Sequence, residues 1–200
     1  MDSRERNVGW DVKEGDSRQR IIVSALHCFS EQSVEKTSLL EVARRAGISK
    51  GTLYYYYPTK NDLIFDIASI HMDRITDQVF SMMESGKLNP SWAELIETLF
   101  AALLGSDTRS RLHLYLIHES LKGNTVLRER LDATYTRWFE LVAWGVSRMI
   151  HGAPVPKGLP KLFVALMDGL VIQSVTLKEA PDLKEMASLA AGLMADAEET

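Results

Sequence analysis

Positions 50 to 60 read Lys-Gly-Thr-Leu-Tyr-Tyr-Tyr-Tyr-Pro-Thr-Lys, bringing small, hydroxylated, basic and phenolic side chains into one short segment. The chemistry open to such a set is non-covalent. Ammonium and hydroxyl groups meet phosphate oxygens, and a threonine methyl or hydroxyl meets a base edge. Gly51 and Thr52 are small enough to let the backbone approach those edges. Tyr54, Tyr55 and Tyr56 fan over about 200° of a helix, so they cannot all be buried. At least one phenol faces outward, where its hydroxyl can hydrogen-bond a phosphate. Lys60 opens a following helix, whose dipole and ammonium act together on one phosphate, and Ser38 offers a cap and free backbone N–H groups in the same way. Lys50 borders the set. Pure packing remains an alternative for Tyr54 and Tyr57, as a solvated helix face does for Arg44 and Arg45.

Covalent and metal chemistry find no comparable constellation. His27 and Cys28 are adjacent and point about 100° apart on a helix, a poor nucleophile–base pair. His71, His113, His118 and His151 lack zinc-ligand spacing with acidic partners, and no glycine-rich phosphate loop is present. No catalytic residue, metal site or cofactor is therefore assigned. Cys28 is the one cysteine, which excludes an internal disulfide and reads as an inert buried thiol.

Helices must position these residues. Apolar residues recur at i, i+3 and i+4 almost throughout and strand alternation is absent, so the chain reads as all-α with about nine helices. Asp16 or Ser17 caps a first helix with Ile21, Ile22, Ala25, Leu26 and Phe29 inward, ending near Gln32. A second helix begins at Ser38 with Leu39, Val42, Ala43 and Ala46 inward. Gly47 suits the left-handed turn that closes it, and Ser49 caps a third helix over residues 50–56. Two short helices meeting at Gly47-Ile48-Ser49 form a helix-turn-helix, whose second helix enters the major groove. A long fourth helix runs to about Met83, and further helices are expected at 91–104, 109–121, 125–150, 157–178 and 182–198. The domains follow as 16–62 for DNA binding, with the motif at 38–57, and a larger helical bundle over 63–200. Residues 1–15 read as disordered or loosely attached, with Arg4 and Arg6 as an alternative minor-groove arm.

The chain carries a formal charge of −4, which seems to oppose a nucleic-acid partner, but its distribution does not. Residues 36–60 hold five basic side chains against Glu41 alone, while residues 61–200 hold 13 basic and 19 acidic. A basic patch on an acidic body suffices for phosphate contact.

The order Ile21, Ala25, Phe29, Val42-Ala43, Ala46-Gly47-Ile48-Ser49, Gly51-Thr52-Leu53-Tyr54, Tyr56-Tyr57, Lys60 and Leu63 resembles the tetracycline-repressor (TetR) family of transcriptional regulators. The resemblance covers about a quarter of the chain. It implies DNA contact at Ser38, Thr52, Tyr54, Tyr56 and Lys60, with Lys50 at their border and Tyr55 in the same run. Leu40 departs from relatives that place a polar or basic base-reading residue there, so most contacts are expected to position rather than specify.

The remaining chain must then make the protein switchable. Trp92–Met149 is rich in aromatic, His and Met residues, and Tyr115, His118, Tyr135 and Trp138 are candidate effector contacts, each also readable as ordinary core or surface. The expected effector is an unknown small apolar or aromatic molecule with no dedicated charged partner. Wide apolar faces on the last two helices, including Leu162, Leu166, Leu170 and Leu189, imply by resemblance a homodimer interface. Two recognition helices about 34–36 Å apart would read a palindromic operator on double-stranded DNA. Leu159–Leu177 is interrupted by Lys161, Asp168 and Gln173 and reads as a buried helix, so no membrane partner is expected and the location is cytoplasmic. The function implied is a ligand-released repressor. The alternatives are an activator or positioning factor of the same kind, and a helical ligand-binding module without DNA binding.

Overall fold

The computed structural model describes residues 16–84, 91–150, 154–179 and 181–195. The expectation for the 1–15 arm lies outside the described residues, as do His151 and the last positions of the helix expected at 182–198. Nine helices occur among those described: α1 (Ser17–Glu31), α2 (Leu39–Arg45), α3 (Lys50–Tyr56), α4 (Lys60–Glu84), α5 (Trp92–Leu104), α6 (Asp107–Leu121), α7 (Thr125–Met149), α8 (Leu159–Thr176) and α9 (Leu183–Ala195). No strand is present among them.

Side-chain caps account for most of the starts. Asp16, Ser38, Ser49, Ser91, Ser106 and Asn124 each accept a hydrogen bond from a backbone N–H of the following first turn. At Ser91 the exchange is reciprocal, because the Glu94 carboxylate also accepts from the Ser91 N–H. The end of α2 is equally explicit. Gly47 N–H donates to Arg44 O at 3.2 Å, and Ile48 N–H reaches back to Ala43 O at 3.1 Å. That pairing requires the left-handed backbone found at Gly47, φ 64°.

Two apolar clusters hold the helices. The first gathers Ile21, Val42, Leu53, Tyr57 and Ile64 from α1–α4 around Leu112 and Leu116 of α6 and Leu127 and Leu131 of α7. It therefore crosses the expected boundary at 62/63, and the small DNA-facing helices rest on the larger bundle. The second cluster joins Phe100, Val146, Phe163, Met167, Ala187 and Ala190 from α5, α7, α8 and α9. Helix α8 has the length and composition of a membrane span, with mean hydropathy 1.4 over 18 residues. Its Phe163, Val164, Met167 and Leu170 are buried inside the chain. Its Asp168 accepts from Tyr135 Oη at 2.7 Å and lies 3.2 Å from His113 Nε2, both polar partners on neighbouring helices.

A methyl group at position 47 would meet nothing within 4 Å, so the cost of replacing this glycine is backbone strain alone. Gly47→Ala is expected to lower stability by about 1 kcal/mol in denaturant titration. An unchanged midpoint would contradict the left-handed turn.

Candidate nucleic-acid interface

Helix α3 buries one residue row and exposes the rest. Leu53 is fully buried, and Tyr57, immediately after the helix, is 4% exposed. The Tyr57 hydroxyl donates to Asp66 Oδ2, and Asp66 Oδ1 accepts from Arg18 at 2.6 Å, so α1, α3 and α4 share one polar clasp. Burial first, and then the bond to Asp66, push the Tyr57 phenol well above its ordinary pKa, keeping it a proton donor. Of the two tyrosines for which packing was an alternative, Tyr57 is core and Tyr54 is exposed.

Tyr54, Tyr55 and Tyr56 are 40%, 83% and 38% exposed, and thus share the outer face of α3. Lys50 Nζ lies 5.6 Å from the centre of the Tyr54 ring, while Tyr55 and Tyr56 meet edge to face at 5.4 Å. Thr52 Oγ1 is 2.8 Å from Ser49 Oγ, which orients the side chain at the start of the helix. Ser38 and Leu40 are also exposed, at the start of α2. Six of the seven residues singled out by their types therefore lie on two adjacent helix starts and one exposed helix face.

The seventh, Lys60, has an internal task. Its ammonium donates to Val34 O at 2.8 Å, Thr37 O at 3.1 Å and Glu35 O at 3.3 Å. These carbonyls belong to the α1–α2 connection, where Val34 and Thr37 are buried. The position at a helix start suggested a phosphate; in the structure the ammonium joins α4 to the connection. Arg45 is likewise engaged, in a two-pronged pair with Glu31 (Nη2–Oε1 2.6 Å). Lys36, Arg44 and Lys50 are the remaining exposed cations of the segment.

A contact that residue types did not reveal ties this head to the bundle. Arg130 of α7 donates to Asp62 Oδ1 at 2.7 Å, with its guanidinium 3.9 Å from the centre of the Phe65 ring. Asp62 Oδ2 meanwhile accepts from Thr59, closing the first turn of α4. Hydrogen bonds from Thr59 and Arg130 hold the Asp62 carboxyl below its usual range against the opposing effect of burial, the largest influence. The partners are 68 residues apart, and no local pattern announces them.

The fold and site define a class: a helical transcriptional regulator with an N-terminal helix-turn-helix. Residues 21–67 match the family model described as bacterial regulatory proteins, tetR family. The chain is a TetR-family transcriptional regulator. It is 42% identical over 52 residues to the HTH-type transcriptional regulator AcrR of Shigella flexneri, a match spanning 26% of this chain and 24% of that one. Identity to the HTH-type transcriptional regulator LmrA of Bacillus subtilis (strain 168) is 24% over 189 residues, covering 87% of this chain and 94% of LmrA. In fold it is similar to Thermus thermophilus FadR, a TetR-family repressor solved in complex with lauroyl-CoA. That match has TM-score 0.68 and 20% identity, covering 90% of this chain and 94% of that one.

Two abutting cavities occupy the bundle, sharing Met72, Trp138, Val164 and Met167 as walls. Among the four candidate effector residues, Trp138 lines both. Tyr135 reaches their edge through its bond to Asp168, and its ring lies 5.0 Å from Trp138. Tyr115 and His118 line neither of these two cavities. Tyr115 packs against the first apolar cluster with Lys60 Nζ 6.0 Å from its ring, and the His118 side chain is 69% exposed beside Glu119. Position 118 is about 140° around the helix from position 113. Since α6 turns His113 into the bundle, it cannot also turn His118 there. His71, Arg109, His113 and Asp168 all line the second cavity, so its walls carry charged and polar groups beside apolar ones.

Gly51 is exposed, and a methyl there would meet only Ser49 Oγ at 3.7 Å, an ordinary contact. Nothing inside the protein demands a glycine. Gly51→Ala is expected to keep or slightly raise the thermal midpoint while lowering operator affinity about tenfold or more, read by fluorescence anisotropy. Unchanged affinity would remove position 51 from the interface.

Proposed function

We propose that the protein is a dimeric, ligand-released repressor that reads a palindromic operator with two copies of α3. The observation that carries this reading is the outward face of α3, with three exposed tyrosines beside Gly51 and Thr52 over a buried Leu53–Tyr57 row. Ser38, Lys50, Thr52, Tyr54, Tyr55 and Tyr56 contact the DNA, mostly through phosphates, while Lys60 holds the frame that presents them. Leu40, 51% exposed on α2, offers no hydrogen bond to a base edge. Base reading therefore falls chiefly to Thr52 and its neighbours.

A single seven-residue helix supplies too little contact for a specific site. Pairing through α8 and α9 supplies the second copy. Leu162, Ile172 and Leu189 are 62%, 47% and 60% exposed on these helices, an apolar set that a partner copy would cover. Residues 16–62 act as the DNA-binding domain and 63–200 as the effector and dimerisation domain, in the cytoplasm beside the DNA. Release by a ligand is supported by the two cavities in the bundle and by the ligand-bound state of the similar Thermus thermophilus repressor.

Selection of bound duplexes from a random pool tests the reading. Enrichment of an inverted repeat with half-sites about one helical turn apart is the expected result. Enrichment of an unrepeated site, or none at low salt, would overturn the dimeric operator reading.

A further inference from the structure

The second cavity contains polar groups that the fold leaves unanswered. Ser110 is 3% exposed, and its Oγ is buried with no hydrogen-bond partner; His71 Nε2 is buried and unpartnered in the same way. Both side chains line this cavity together with Arg109. Among the described residues no carboxylate pairs with the Arg109 guanidinium. Burial, and then the neighbouring Arg74, lower its pKa. An unpaired cation removed from water is costly, and a ligand that brings an anion reverses that cost.

Asp168 is the negative charge in this cavity, and it is already answered. One oxygen faces His113 Nε2 at 3.2 Å and the other accepts from Tyr135 at 2.7 Å. The polarity still to be satisfied is thus a cationic donor, the Arg109 guanidinium, beside a hydroxyl that can donate and an imidazole nitrogen whose role its tautomer sets. Burial, followed by Arg109 and Arg74, holds His71 down at about 4, so its ring is neutral and carries one N–H.

The adjoining cavity has the opposite character. Phe80, Leu99, Trp144, Met149 and Phe163 are among its walls, and it contains no charged side chain. Thr76, a hydroxyl on its lining, is satisfied by donating to Met72 O at 2.9 Å. The shared wall of Met72, Trp138, Val164 and Met167 places the donor cluster at one end of an apolar chamber.

We propose that the effector is an amphiphile with a carboxylate head and an apolar chain, its head received by Arg109, Ser110 and His71 and its chain by the adjoining cavity. This rests on the ligand-binding reading above and adds the chemical class. The guanidinium gives a charge-assisted bond, and the hydroxyl, together with the imidazole in its Nε2–H tautomer, satisfies further lone pairs. Arg109 and Ser110 both lie in the first turn of α6, whose dipole favours the same sign of charge.

Trp138 and Trp144 line the chamber, so the fluorescence of the full chain reports its occupancy. Dodecanoate, dodecanol and dodecyltrimethylammonium, each below its micelle concentration, are the probes. The carboxylate is expected to bind about tenfold or more tightly than the alcohol, and the ammonium most weakly. Arg109→Met should erase most of that preference while leaving alcohol affinity unchanged, and Ser110→Ala should weaken dodecanoate a few-fold. Equal binding of carboxylate and alcohol, preference for the ammonium, retention of the carboxylate preference in folded Arg109→Met, or no binding of any probe would overturn the inference. Release of the operator is read separately. Dodecanoate that binds through Arg109 but leaves the DNA complex intact would remove the release reading and keep the ligand class.

Discussion

The ammonium of Lys60 sits against three backbone carbonyls of the α1–α2 connection, and the posture of the DNA-facing head depends on this contact. That connection has no regular partner for those oxygens, and the residues around it are partly buried. A buried carbonyl without a donor is costly, whereas one long cation satisfies all three while joining the first turn of α4 to the base of α2. The Tyr57–Asp66–Arg18 clasp adds a second tie from the end of α3 to α4 and α1. Between them, α3 has little freedom to tilt without moving α4.

Helix α4 also forms one wall of both cavities through Met72, with His71 facing the polar one. Its first turn is bound to α7 through Asp62 and Arg130, and Phe65 lies under the same guanidinium. One rigid element therefore touches the ligand chamber at its middle and the DNA-binding head at its start. A ligand that binds the chamber better in one placement of α4 than another changes the population of DNA-competent heads by that difference in affinity. The apolar cluster that crosses positions 62 and 63 makes this transfer one of packed side chains rather than of a flexible linker.

Much of this was legible from residues alone. Capping serines, the glycine at the turn and Pro58, which cannot continue a helix, are local signals, so helix boundaries at Ser38, Gly47, Ser49 and Lys60 follow from nearest neighbours in sequence. The outward tyrosines follow too, because three consecutive residues cannot share one buried row. What escaped depends on distant pairing. Arg130 with Asp62, Lys60 with Val34 and Thr37, and the convergence of His71, Arg109 and Ser110 on one chamber join residues 23 to 68 positions apart or on separate helices. Tyr115 and His118 lie apart from the two cavities, because aromatic content identifies a bundle but not which face of α6 turns inward. Rotation about one helix axis decides that, and it is set by where Leu112 and Leu116 pack.

Lys60→Met separates a strut from a phosphate contact most directly, since it keeps the length of the chain and removes the charge. Stability by denaturant titration and the dependence of operator affinity on salt are measured on the same variant. The strut predicts a loss of about 2 kcal/mol in stability, with the salt slope of the remaining DNA binding unchanged. An unchanged stability together with a slope smaller by about one would contradict the account and return Lys60 to the DNA backbone.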